Sequence, residues 1–393
     1  MNQSKIFKNL SLGYSLAESL SELADNSITH NSKNIFVYMY WADDYGRNSF
    51  VMVVDDGDGM TEDDLLKKAF SVQENRPDGG NNDLGLYGMG LKTGSFQHCN
   101  KITILTKKNK FLKKSLDCEG VLGDKLPSCY ENSFVKNQIE ELKKTKTGTI
   151  IIWSQLEKLV ESRSRDTAIN FYNEYDKARK HFKLIYNDFL SNKGINIYFG
   201  GSKKENLIKP YDPFFKKNIE TKKLEDIKVN FYNSGDANLS TWIIPKYTEK
   251  EDTNFTRNEM QGIYFYRRGR LISFGGWYGL GSEGTPEEWG MNDKYNRLRI
   301  RIEIPDQDIK YWLSTSKNKI VIPEFAVRSL YKKISLLRKQ YLDYLKLEKK
   351  TDPIKNVVNL NPPSKIDING LSEKSIIDLK KYINELRLSN DES

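Results

Sequence analysis

Early in the chain, Leu16, Leu20, Leu23 and Ile28 recur at helical spacing with polar residues between them. That period predicts an amphipathic helix over Leu12–His30. The pattern then changes to two strand-like runs, Asn34–Trp41 (NIFVYMYW) and Ser49–Val54 (SFVMVV), joined by a polar turn around Asp43–Arg47. Residues 61–70 predict a short helix with an acidic first turn. Residues 71–84 are polar and contain Pro77 and the Gly79–Gly80 pair, which predicts a loop. Strands at Lys101–Thr106 and Thr149–Trp153 close a first domain.

Beyond it the pattern predicts a long helix over 165–190. Strands follow at 195–200, 228–233, 240–245, 262–266, 270–274 and 297–304, then a long basic helix at 323–349. From Thr351 a proline-containing linker (NPPSKIDI) leads to a short amphipathic helix at 372–387. A chain of 393 residues exceeds what one hydrophobic core usually supports. The expected division is 1–155, 156–350 and a tail of 351–393.

Composition supports a globular chain, with 38% hydrophobic, 12% aromatic and 29% charged residues. No run approaches the roughly 18 apolar residues of a membrane span, so no membrane association is expected. The start, MNQSKIFKNLSLGYSL, lacks the apolar core of a signal peptide. Cys99, Cys118 and Cys129 form no disulfide framework and no zinc spacing, and His30, His98 and His181 are isolated. A cytoplasmic protein, or a nuclear one in a eukaryote, is expected. Charge is uneven: residues 1–100 hold 8 basic and 14 acidic side chains, the remainder 54 and 39. Basic clusters at Lys107–Lys114 (KKNKFLKK), Lys177–Lys183 (KARKHFK) and Arg297–Arg301 (RLRIR) are candidate contacts for a phosphate backbone.

Four short segments carry candidate chemistry. Glu22-Leu-Ala-Asp25-Asn26 puts a carboxylate and an amide one turn apart on a helix, a pairing that can activate water and ligate a hard cation. Val54-Asp55-Asp56-Gly57-Asp58-Gly59-Met60 follows a strand; its glycines let backbone approach a ligand, and a carboxylate there can accept from an exocyclic amine. It lacks the downstream Glu and the glycine spacing of an EF-hand. The run GLYGMGLKTGS, residues 85–95, leads into a helix and exposes backbone N–H groups to an anion. Leu91 separates Gly90 from Lys92, so the run is not a P-loop, and it is not GxGxxG. The fourth segment, Gly148-Thr149 before IIIW, is informative only beside the other three.

In this order the four segments resemble the motifs of the GHKL ATPases, a group that includes gyrase, MutL, heat-shock chaperones and histidine kinases. The third is closest to the MORC branch. The resemblance implies an α+β chain: a two-layer α/β-sandwich ATPase domain (Bergerat fold), then a β-α-β transducer-like domain. It implies ATP and Mg²⁺ as cofactors, with Glu22 as general base and Asn26 as the metal ligand. Asp55 would bind the adenine amine, with Gly57, Gly59 and Met60 around the base and Thr149 supporting that pocket. Gly85, Gly88, Met89, Gly90, Leu91, Lys92 and Thr93 would surround the phosphates, with residues 61–95 as an ATP lid. Lys317, or Lys319, would reach the γ-phosphate from the second domain, where Tyr266-Arg267-Arg268-Gly269-Arg270 is similar to that domain's strand turn. The resemblance further implies ATP-gated homodimerisation and the handling of DNA, in silencing or defence against foreign DNA. A chaperone-like ATPase acting on protein and a non-enzymatic nucleotide switch are the alternatives. Neither the zinc-binding CW domain nor the coiled coils common in MORC proteins is visible.

Overall fold

The computed structural model describes residues 13–42, 48–70, 84, 90–156, 159, 167–231, 235–248, 255–281, 289–306, 309–312 and 320–351. Helix α1, Leu16–Thr29, begins at a reciprocal cap: Ser15 accepts from the Glu18 backbone N–H, and the Glu18 carboxylate accepts from that of Ser15. Strands β1 (Asn34–Tyr40) and β2 (Phe50–Asp55) follow as expected. Helix α2 is Gly90–His98, and β3 is Lys101–Lys107.

Between β3 and β6, three elements were not anticipated. Strand β4, Phe111–Asp117, overlaps the end of what reads as a basic cluster, and β5 is the short Leu122–Gly123. Helix α3, Ser133–Lys144, is capped by the Asn132 side chain, which accepts from the Phe134 N–H. Strand β6 is Gly148–Ser154. The helix predicted at 165–190 is two: α4, Thr167–Ile185, and α5, Asn187–Asn192. The break falls at Tyr186, where the Asn187 amide donates back to the Leu184 carbonyl and to the Tyr266 hydroxyl.

The first sheet has the order β5-β4-β3-β6-β2-β1-β7. Its last strand, β7 (Asn196–Phe199), comes from beyond residue 155 and pairs parallel to β1. Leu20, Leu23 and Ala24 of α1 share a core with Val51 and Val53 of β2, Ile102 and Ile104 of β3 and Phe182 of α4. On the other face, Val135, Ile139 and Leu142 of α3 pack with Met52, Leu105 and Ile150.

The second sheet contains β8 (Lys222–Lys223), β9 (Ile227–Asn230), β10 (Asp236–Ile243), β11 (Gly262–Arg267), β12 (Arg270–Phe274) and β13 (Leu298–Glu303). Its order is β12-β11-β13-β10-β8, with β9 also on β10. A short helix, α6 (Ile309–Trp312), precedes the long α7 (Glu324–Thr351). From Lys332 the chain forms a separate compact unit, described as helix to Thr351. The molecule is thus mixed α+β, two sheets with helices, as expected from the motifs. No described helix is long and apolar enough to cross a membrane, and all three cysteines are free thiols. The turn at Asp43–Arg47 and the tail helix at 372–387 lie outside the described residues.

Candidate functional site

Strand register builds the floor of the site. Asp55 of β2 pairs with Thr149 of β6, and Thr149 pairs with Thr106 of β3, so the three stand in one row across adjacent strands. Side chains alternate faces along a strand, and Val51, Val53, Ile102, Ile104 and Ile151 place this row on the face covered by α1. The three are buried. Thr106 Oγ1 lies 3.2 Å from Thr149 Oγ1 and accepts from the Met60 N–H at 2.9 Å.

Asp55 is the unusual member. Its Oδ2 accepts from Ser27 Oγ of α1 at 2.9 Å, and its Oδ1 from the Gly57 N–H at 2.9 Å. Among the described residues no lysine or arginine pairs with it. Burial pushes its pKa up to about 6, against those two hydrogen bonds, with the charges of Asp56 and Asp58 adding to the rise. A buried carboxylate with only neutral donors is costly to keep. Its spare lone pairs suit a ligand that brings its own N–H.

The neighbouring acids do different work. Asp56 accepts from the Lys33 and Asn34 N–H groups and from Ser32 Oγ, pinning the start of β1. Despite the desolvation, those bonds with the Asn34 amide hold its pKa low. Asp58 accepts from the Asn31 amide. Gly59 sits at φ +66°, and a Cβ there would stand 2.0 Å from the Lys107 carbonyl oxygen, so only glycine fits. At Gly57 a Cβ would meet the His30 carbonyl at 2.7 Å.

Glu22 and Asn26 are half-buried on α1, one turn apart. Asp25, on the same turn, is buried and bonded to Arg270 and Tyr186. Ser27, adjacent to Asn26, links this helix to Asp55 directly. Helix α2 docks on α1 where Gly94 brings the backbones close: a Cβ on Gly94 would lie 3.4 Å from Ser19. Ser19 Oγ and His98 Nε2 are 3.0 Å apart across that contact. Gly90 opens α2, and Leu91, Lys92 and Thr93 on it are buried. The Lys92 ammonium donates to the Ala69 carbonyl at 3.1 Å, on the wide helical turn Asp64–Ala69.

The structure therefore brings Asp55, Gly57, Gly59, Met60 and Thr149 together at the strand ends, and Ser27 ties them to α1, which carries Glu22 and Asn26. Leu91, Lys92 and Thr93 lie on the adjoining helix. Gly85, Gly88, Met89, Lys317 and Lys319 lie outside the described residues, as does most of the expected lid. Sequence reading missed Ser27 and Thr106; each had a signal, one beside Asn26 and the other ending the strand that pairs with Thr149. The donor set fits a magnesium nucleotide: an amide oxygen and a carboxylate for a hard cation, and a buried acceptor for an amine.

Of the basic clusters, Arg297–Arg301 is corrected. Arg297 and Arg299 are 7% and 2% exposed, donating to the Ile244 and Asn296 carbonyls, and Arg301 pairs with Asp188 and Glu303. They hold the fold and cannot meet a phosphate backbone. In the other two, Lys110, Lys114, Lys177 and Lys180 pair with Glu62, Asp124, Glu174 and Asp176.

Residues 14–149 match the family model described as histidine kinase-, DNA gyrase B-, and HSP90-like ATPase. That span contains the strand row, α1 and α2, and the match supports ATP binding by this segment. No match to a curated protein was found.

Proposed function

We propose that the chain binds ATP with Mg²⁺ in this site and hydrolyses it slowly, as a MORC-like ATPase whose nucleotide cycle gates homodimerisation. The observation that carries the reading is Asp55, a buried carboxylate with spare acceptor capacity at the end of β2, under the helix that bears Glu22 and Asn26. In this reading Asp55 accepts from the adenine amine, Gly57 and Gly59 let the base approach backbone, and Thr149 supports it through Thr106. Asn26 offers its amide oxygen to Mg²⁺, which neutralises phosphate charge when bound. The Glu22 carboxylate takes the proton from the attacking water. Gly85, Gly88, Met89, Gly90, Leu91, Lys92 and Thr93 surround the phosphates, and Lys317 approaches the γ-phosphate from the chain beyond residue 155. Size-exclusion chromatography with a non-hydrolysable ATP analogue tests the gating: a shift to dimer supports it, and a monomer at saturation contradicts it.

Asp55→Asn is expected to weaken ATP binding by about 1.5–3 kcal/mol, since a bond to an ionised acceptor is replaced by a neutral one. A carboxyl with a pKa of about 6 is ionised above that pH and neutral below it. Wild-type affinity should therefore fall as pH drops through 6, while the Asn variant stays flat there. Calorimetry across that range checks both; wild-type affinity in the variant would place adenine elsewhere.

DNA is the proposed client, on the basic balance beyond residue 100. Lys108 and Lys113 are exposed and suited to phosphate contact. Log affinity should fall linearly with log salt, and reversing both lysines to glutamate should flatten the slope. A titration over several salt concentrations, with and without the ATP analogue, reads this. No binding at low salt in either nucleotide state would reject the DNA client. The protein-client reading then takes its place, favoured by the in-chain pairing of the lysines and the burial of Arg297 and Arg299.

A further inference from the structure

Between β11 and β12 the chain turns through Arg268 and Gly269, at φ +53° and +86°. Two successive positive φ values make the tight turn that sets hairpin register, and here Arg267 stands directly opposite Arg270. Like charges opposite each other on a hairpin repel. Both side chains are drawn off to other partners, and those partners lead to the candidate site.

Arg270 Nε lies 2.7 Å from Oδ1 and 2.6 Å from Oδ2 of Asp25 on α1. Tyr186 Oη, at the break between α4 and α5, donates to the same Oδ1 at 2.7 Å. Although burial alone disfavours the charged guanidinium, the Asp25 carboxylate holds the pKa of Arg270 above its ordinary value, and Glu22 adds to that rise. Glu22 is thus within electrostatic reach of the hairpin. Asp25 falls between Glu22 and Asn26 on one helical turn, so any rotation of α1 about its axis at Asp25 swings both.

Arg267 takes the second route. Its Nε pairs with Asp306 Oδ1 at 3.0 Å, and Nη1 donates to the Leu84 carbonyl at 3.1 Å. Leu84 also donates its N–H to Thr29 Oγ1, at the last residue of α1, at 3.1 Å. Leu84 is therefore clamped between α1 and the second sheet. Asp306 Oδ2 bonds Arg268 Nε as well, steadying the turn from outside.

We infer that the β11–β12 hairpin is the positioning element of the hydrolytic site: Arg270 fixes the orientation of Glu22 and Asn26 through Asp25, and Arg267 ties the second sheet to the end of α1 through Leu84. This rests on the reading of Glu22 as the general base. Arg270 and Arg267 are positioning residues that touch no substrate. The second sheet is then required for turnover at full rate, while nucleotide affinity, set in the proposed reading by Asp55, Gly57 and Gly59, is independent of it.

The test uses the full chain and four variants, with hydrolysis kinetics, affinity for a non-hydrolysable ATP analogue, and thermal unfolding of each. Arg270→Lys keeps the charge but loses the forked geometry. Tyr186→Phe removes one hydroxyl, and Asp306→Ala frees Arg267 at an exposed position; both are mild enough to keep the fold. Glu22→Ala is the control. Expected is a kcat lower by roughly ten- to a hundredfold in Arg270→Lys, and several-fold lower in Tyr186→Phe and Asp306→Ala, with KM and analogue affinity near wild type. Wild-type kcat per folded molecule in all three, with Glu22→Ala inactive, would overturn the proposal while leaving the base reading intact. A parallel loss of affinity and kcat that tracks the folded fraction also overturns it, since that is structural support alone. A wild type whose turnover equals that of Glu22→Ala overturns the base reading, and this inference with it.

Discussion

Replacing Glu22 with alanine is expected to lower ATP turnover by roughly 10²–10⁴-fold while ATP still binds. The size follows from the proposed role, in which Glu22 accepts the proton of the attacking water. Asp25, the other carboxylate on this turn, cannot substitute: it is buried and committed to Arg270 and Tyr186. In the proposed reading affinity is spared because Asp55 and its strand neighbours, not Glu22, take the adenine. Steady-state hydrolysis beside an analogue titration separates the two effects. Unchanged turnover in this variant removes Glu22 from the role.

Asp25→Ala is expected to cost stability on the order of 3–5 kcal/mol, the range for stripping one partner from a buried ion pair. The Asp25 and Arg270 side chains are 8% and 13% exposed. Without Asp25 the guanidinium stays buried beside Tyr186 with its main counter-charge gone, and the Tyr186 hydroxyl loses its acceptor on that carboxylate. The double variant Asp25→Ala/Arg270→Met should recover part of the loss, because removing both charges removes the stranded one. Chemical denaturation of the single and double variants measures this. A double variant less stable than Asp25→Ala would mean that Arg270 has other partners of greater weight.

The parts of the fold with a clean period were legible in the sequence. Leu16, Leu20 and Leu23 give α1, and the apolar runs at 34–41 and 49–54 give β1 and β2 nearly to the residue. Strand β4 was hidden because the Lys113–Lys114 pair interrupts its apolar positions; both decorate a strand near the sheet edge, where charge guards against further pairing. Helix α3 had a readable stripe, Val135, Ile139 and Leu142 after the Asn132 cap, but its many polar residues obscured it. The break at Tyr186 was not readable, since it depends on Asp25, Ser21 and Tyr266, all distant in sequence.

The site divided the same way. Motif order singled out Asp55, and strand alternation places it under α1. The sequence alone could not separate the roles of Asp55, Asp56 and Asp58, because what distinguishes them is which backbone groups each one meets. The RLRIR run was misleading for a related reason: alternate arginines on a strand look like a charged face, yet Arg297 and Arg299 spend their donors on carbonyls inside the fold. Arg270 was visible as part of a strand turn, but its tie to Asp25 spans most of the chain.

Side-by-side calorimetric titration of wild type, Glu22→Ala and Asp55→Asn with a magnesium complex of a non-hydrolysable ATP analogue tests the central claim most directly. The account predicts one nucleotide per chain, wild-type affinity in Glu22→Ala, and affinity roughly tenfold or more weaker in Asp55→Asn. No binding by the wild type, or three indistinguishable isotherms, would contradict it.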